Sequence, residues 1–161
     1  MGEDGDEKFI NMDHVAIMRK SWGLLPKILS GEKTIESRWY KNKSAPWGKI
    51  NSGDMVYFKN SGESVTVRVC VKKVLQFENL IPEIVRDLLV RYGRDDGITD
   101  IEKYYQLFID KKYCLLIFLE KPQKIKPFEI NKKGFGSMAA WMCVEDIRKI
   151  RRKSRVPRNK I

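Results

Sequence analysis

Two apolar rhythms run along the chain: alternation, which marks strands, and a three-to-four spacing, which marks helices. His14–Met18 (HVAIM) reads as a short strand. Ser21 can cap a short helix carrying Leu24, Leu25, Ile28 and Leu29, with Pro26 in its first turn and Gly31 ending it. Thr34–Tyr40 (TIESRWY) alternates as a strand, with Ile35, Ser37 and Trp39 on one face and Thr34, Glu36, Arg38 and Tyr40 on the other. After a loop rich in turn residues and lysine comes a hairpin. Met55–Lys59 is its first strand, NSGE its turn, and Val65–Val71 its second strand, with Val65, Val67, Val69 and Val71 inward. Pro82 opens a helix lined by Ile84, Val85, Leu88, Leu89 and Tyr92 and ended by Gly93. Thr99 and Glu102 predict a capping box for a second helix carrying Ile101, Tyr104, Tyr105 and Phe108. Tyr113–Leu119 (YCLLIFL) is an unbroken apolar run, the pattern of a strand buried on both faces. Lys124–Ile130, interrupted by Pro127, predicts a separate strand at a sheet edge. GFGSMAAWM is glycine-kinked, and Val144–Arg152 predicts a short basic helix. Five or six strands with helices between them predict an α+β domain, a small mixed β-barrel with inserted helices.

Length and composition narrow the picture. A chain of 161 residues, 42% hydrophobic, suits one domain folding without disulfide or metal staples. Residues 13–150 are expected to form it, between a disordered acidic lead-in (1–12) and a basic flexible tail (151–161). No run of apolar residues is long enough to span a membrane, so no membrane partner is expected. The opening MGEDGDEKF is unlike a secretory or mitochondrial leader. Cys70, Cys114 and Cys143 form no CxxC pair, which fits a reduced, cytoplasmic setting. With the lone His14 they lack zinc-ligand spacing, so neither metal nor cofactor is expected; a monomer is favoured.

Charge adds a partner. The net charge is +11, divided as −4 over residues 1–13, +8 over 148–161 and +7 over the body between. A basic body points to a polyanion, most commonly nucleic acid, while the tail can add phosphate affinity without sequence preference.

The densest polar cluster is GEKTIESRWY, residues 31–40. Glu36 and Arg38 share a strand face, and Lys33 stands at the strand's start. Such a trio can bind a phosphate and read a base edge. Alternatively Glu36 can act as a general base, with Lys33 and Arg38 stabilising negative charge. A third possibility is an ordinary solvated ion pair. GEKTIESR resembles the GxKxxExR signature of the ASCH domain family, which has a PUA-like β-barrel fold. The preceding ILSG, the following SGDMVYF, the hairpin, the two helices and the late Trp141 follow that family's order over roughly residues 14–150. The resemblance implies a PUA-like cleft suited to RNA or a nucleotide and a place in RNA metabolism. It carries over to Gly31, Lys33, Glu36 and Arg38. One branch of the family resembles amidohydrolases acting on acetylated cytidine through a lysine, a threonine and a distant glutamate. Lys33 matches that lysine, but Glu36 stands at the threonine's position, which argues against this activity.

Aromatics among lysines suit single-stranded nucleic acid. Trp22, Tyr40 and Trp47, interleaved with Lys20 and Lys43, are therefore candidate walls of the cleft, whereas Trp39 reads as core. Lys59 and Ser61 at the hairpin tip can contact an anion. Lys132, Phe135, Ser137 and Trp141, around two glycines, are candidates for the cleft's rim. Three functions remain open: an RNA- or nucleotide-binding domain with a cationic cleft, a metal-independent ribonuclease or other RNA or nucleoside hydrolase using the same residues, or a protein-interaction adaptor.

Overall fold

Among the described residues, six strands pair into one sheet: β1 (Asp13–Met18), β2 (Ile35–Tyr40), β3 (Met55–Asn60), β4 (Val65–Phe77), β5 (Tyr113–Phe128) and β6 (Trp141–Glu145). The computed structural model describes residues 10–136 and 138–152. Across the sheet the order is β2-β5-β4-β3-β1-β6. β1 and β3 run parallel, and the other neighbouring pairs are antiparallel. The helices are α1 (Leu24–Ser30), α2 (Pro82–Tyr92) and α3 (Ile101–Phe108). The sheet curls into a half-barrel with inserted helices, a PUA-like mixed β-barrel.

Alternation explains the layers. Ala16 and Met18 of β1, Val56 and Phe58 of β3, Val67, Val69 and Val71 of β4, and Leu115, Ile117 and Leu119 of β5 pack inside the curl with Leu25 and Ile28 of α1. The intervening residues serve two outer layers. Val15, Tyr57 and Phe128 pack with Ile147 near the C-terminal end, and Ile35, Trp39, Cys114 and Leu116 pack against α2 and α3. β5 is therefore covered on both faces, which its unbroken apolar run foretold.

Several elements depart from the sequence-based expectation. Lys20–Trp22 form a 3₁₀ turn, and Gly23 rather than Ser21 precedes α1. Strand β2 begins at Ile35 rather than Thr34, and β4 runs on to Phe77. A register shift between Val65 and Val67 turns Val65 to the outer layer, away from the other three valines. Asp100, not Thr99, caps α3, its carboxylate accepting from the Lys103 N–H. Lys124–Phe128 continue β5 instead of forming a new strand. This stretch pairs with β4 on one side, and β2 ends before reaching the other, so Pro127 does lie along an open edge. Val144 and Glu145 belong to β6, and the expected basic helix shrinks to a 3₁₀ turn at Ile147–Lys149.

At the ends, the Met12 N–H donates to Asp54, and Arg151 and Arg152 still pair with Ile130 and Glu129. The rest of the expected lead-in (1–9) and tail (153–161), and Ser137, lie outside the described residues. Among the described residues no helix is long and apolar enough to cross a membrane. The three cysteines are free thiols, and burial pushes Cys143 up to about 11.

Candidate functional site

β2 and β6 are the two edges of the curled sheet, and a seam separates β2 from the end of β1. A cavity of about 270 Å³ lies in that seam. Its floor is the GEKTIESR stretch. Gly31 takes a left-handed φ of 81° to end α1, and the Lys33 N–H donates to Lys27 C=O (2.9 Å), which starts β2 beside the helix. Lys33 then turns inward and is 2% exposed.

The Lys33 ammonium meets Ile35 C=O (2.5 Å), Asp96 C=O (2.6 Å), Asp96 Oδ1 (2.7 Å) and Glu36 Oε1 (3.2 Å). An ammonium has three hydrogens, so these acceptors use its whole donor capacity. Burial works against its charge, but Glu36 and Asp96 outweigh that and hold it above its ordinary value. Glu36 is a bridge: its other oxygen accepts from Arg38 Nε (3.0 Å) and pairs with an Arg38 terminal nitrogen (2.8 Å). Arg38 lies over the Trp141 ring (5.1 Å) and reaches across the seam toward Ile17 C=O and Ala140 C=O. Trp141 is fixed in turn by donating to His14 Nδ1 (3.1 Å), while His14 Nε2 donates to Asp54 (2.8 Å).

Asp96 was missed in the sequence. It comes from the turn after α2 and takes hydrogen bonds from Lys33, the Ser37 N–H (3.2 Å) and the Ser37 hydroxyl. Burial, with Glu36 nearby, raises its carboxyl to about 6 although Lys33 and Ser37 pull it down. Gly97 follows with φ 79°, and a Cβ there would meet Leu24 and Lys33 side-chain carbons at 3.4 Å. Asp95-Asp96-Gly97 was a visible turn signal, but nothing in the linear pattern tied it to β2. The floor thus holds two cations and two carboxylates. That floor is charge-balanced, and Arg19 adds a third cation to the cavity's lining.

Apolar and aromatic groups form the walls: Leu24, Ile98, Tyr104 and Phe108, with Trp39 stacked on Phe108 at 4.7 Å. Trp22 stands at the mouth, 39% exposed, edge-on to Tyr104 and beneath Arg19. Tyr40 also lines the cavity and donates to Ala45 C=O (2.8 Å).

Of the sequence candidates, Lys33, Glu36, Arg38, Tyr40 and Trp22 gather here, with Trp141 supporting Arg38 from below. Others do not. Trp47 packs on Tyr113 and the inner core, with Lys43 over its ring. Lys20 pairs with Glu63 (2.8 Å). Lys59 is buried, and the Ser61 N–H donates to Met18 C=O (2.8 Å). Phe135 packs on the outer layer, and Lys132 donates to Ala139 C=O (3.4 Å). None of these seven lines the seam cavity. Among the described residues no cluster of His, Cys, Asp and Glu could hold a metal ion.

The architecture is shared with solved structures from Zymomonas mobilis that bear the name ASCH. A serine-to-alanine mutant of that protein superposes with a TM-score of 0.62 at 18% identity, over 85% of this chain and 91% of the other. A tyrosine-to-phenylalanine mutant gives 0.60 at 18% identity, over 85% and 93%. The unmutated protein gives 0.58 at 18% identity, over 82% and 87%. The fold is that of an ASCH domain. No family model matches the chain, and no curated protein matches it in sequence. In this ASCH fold, the GEKTIESR signature supplies the seam's floor, from which Lys33, Glu36 and Arg38 reach one cavity.

Proposed function

We propose that this domain binds single-stranded RNA by taking one nucleotide into the seam. The observation that carries this reading is the cavity itself. It is walled by aromatic rings, open beside Trp22 and Arg19, and set in a body of charge +7. At about 270 Å³ it is close to the lower end, roughly 300 Å³, of small-ligand pockets, which suits a base with part of its sugar. Trp22 offers a stacking face at the mouth, and Arg19 a cation for the adjoining phosphate. The ASCH fold, whose family resemblance implies a role in RNA metabolism, supports the same conclusion.

Binding is favoured over cleavage. Both Glu36 oxygens are engaged by cations, and every Lys33 hydrogen has a protein acceptor. These two groups shape the floor and orient Arg38; neither is left free to move a proton on a substrate.

Fluorescence anisotropy with short labelled single-stranded RNA tests this. Affinity should fall steeply with salt. Trp22→Ala should weaken it on the order of tenfold or more, since stacking on one ring is worth about 1–3 kcal/mol. Unchanged affinity in a folded Trp22→Ala/Arg19→Ala double variant would overturn the reading.

A further inference from the structure

The seam cavity touches Glu36, Ser37, Arg38, Trp39 and Tyr40, five consecutive residues. Successive side chains of a strand point to opposite faces, so a cavity in contact with all five lies against the strand's edge. Two bonds fix the phase of that edge. The Leu119 N–H donates to Thr34 C=O (2.8 Å), and the Lys112 N–H to Tyr40 C=O (2.9 Å). Glu36, Arg38 and Tyr40 therefore turn their main-chain groups toward β5, as Thr34 does its C=O while its N–H goes to Asp95 C=O (2.8 Å), and Ile35, Ser37 and Trp39 turn theirs outward. The Ser37 N–H confirms the phase by donating to Asp96 (3.2 Å).

The first half of the outward row is occupied. The Ile35 N–H donates to Asp95 C=O (3.0 Å), Ile35 C=O accepts from Lys33, and the Ser37 N–H goes to Asp96. The second half is open. Ser37 C=O, the Trp39 N–H and Trp39 C=O have no protein partner among the described residues. An acceptor and a donor thus stand side by side on a cavity wall, while the charged groups of the floor are already saturated by one another.

We infer that this open edge reads the ligand: a nucleobase pairs its Watson–Crick side with Ser37 C=O and the Trp39 N–H. Every standard base presents an adjacent donor and acceptor there, so it matches an acceptor beside a donor. The inference rests on the proposed RNA binding and names the part of the nucleotide that enters. An anion finds a balanced floor, so the phosphate stays at the mouth beside Arg19. A peptide strand would need a longer ladder than the open groups of Ser37 and Trp39 provide, because Lys33, Asp95 and Asp96 close the edge on the N-terminal side.

The test uses the ¹⁵N-labelled full chain and the four RNA homotetramers, with amide exchange followed by NMR. The best-bound tetramer should slow exchange at the Trp39 amide on the order of tenfold, leaving the Arg38 amide, which faces β5, unchanged. The same tetramer with its Watson–Crick donor methylated should bind about tenfold more weakly or worse. A shift of the Trp22 indole with no change at the Trp39 amide, and equal affinity for the methylated tetramer, would overturn the edge reading while leaving RNA in the seam. RNA binding that moves neither Trp22 nor Trp39 would overturn both. Protection of the Trp39 amide by an extended peptide but by no tetramer would assign the edge to a protein partner and overturn the inference.

Discussion

Replacing Lys33 with alanine separates two roles for the lysine: a ligand contact, as its place in the signature suggests, or the internal counter-ion of the floor. The side chain is 1% exposed and meets four acceptors between 2.5 and 3.2 Å. In Lys33→Ala, Glu36 keeps Arg38, but Asp96 keeps only its bonds from Ser37. One buried carboxylate loses its cation, a loss worth about 3–5 kcal/mol at a pH where the group is ionised. At roughly 2–4 °C per kcal/mol for a chain of this size, the midpoint should fall by about 6–20 °C. The loss should depend on pH. Asp96 titrates at about 6 in the intact protein, and without the ammonium that draws it down it titrates higher still. A proton can therefore replace the missing cation in acid, and the deficit should be larger at pH 8 than at pH 5. Thermal unfolding followed by tryptophan fluorescence at the two pH values measures this, and Asp96→Asn in the Lys33→Ala background should recover part of the loss. A midpoint within 2 °C of the parent at pH 8, or an equal loss at both pH values, would refute the reasoning. Reduced RNA affinity without reduced stability would return Lys33 to the role of a ligand contact.

Two predictions concern the surroundings of this ion group. Burial holds His14 below its ordinary 6.5, and the Trp141 N–H aimed at Nδ1 leaves no acceptor for a second proton. Its contribution to stability is full above pH 6.5 and is lost as pH falls; that of Asp96, raised from 3.8 to about 6, is full below 3.8 and is lost as pH rises through 6. The two slopes oppose each other, so urea titrations of Asp96→Asn should show a steeper acid loss than the parent; parallel curves would contradict the assignment. Arg38→Lys keeps the charge but cannot pair with Glu36 through two nitrogens, so RNA affinity should drop on the order of tenfold, as anisotropy measures, and an unchanged affinity would remove Arg38 from the site.

Much of the fold was legible because its strands obey local rules. The β3–β4 hairpin, Gly31 at the end of α1, Pro82 at the start of α2 and the doubly buried Tyr113–Leu119 run follow from alternation, turn chemistry and apolar continuity. The misreadings share one cause. The second half of β5, Val65 at its bulge and Val144–Glu145 in β6 were decided by partners distant in sequence. The site divides in the same way. Glu36 and Arg38 share a face at a spacing of two, and so were paired in advance.

Alternation, caps and the GEKTIESR stretch by themselves indicated an α+β mixed β-barrel with inserted helices and singled out Lys33, Glu36 and Arg38 as candidate site residues. Only the tertiary structure decided what those residues face. Asp96 arrives from a turn 63 positions after Lys33 and converts a cationic trio into a balanced, self-satisfied floor. It also decided that Trp22 reaches the cavity while Trp47 does not, and that half of the β2 edge stays unpaired. Local sequence sets the direction of each side chain, but the curl of the sheet sets which directions converge. The charge and hydrogen-bonding capacity of a cavity belong to that convergence.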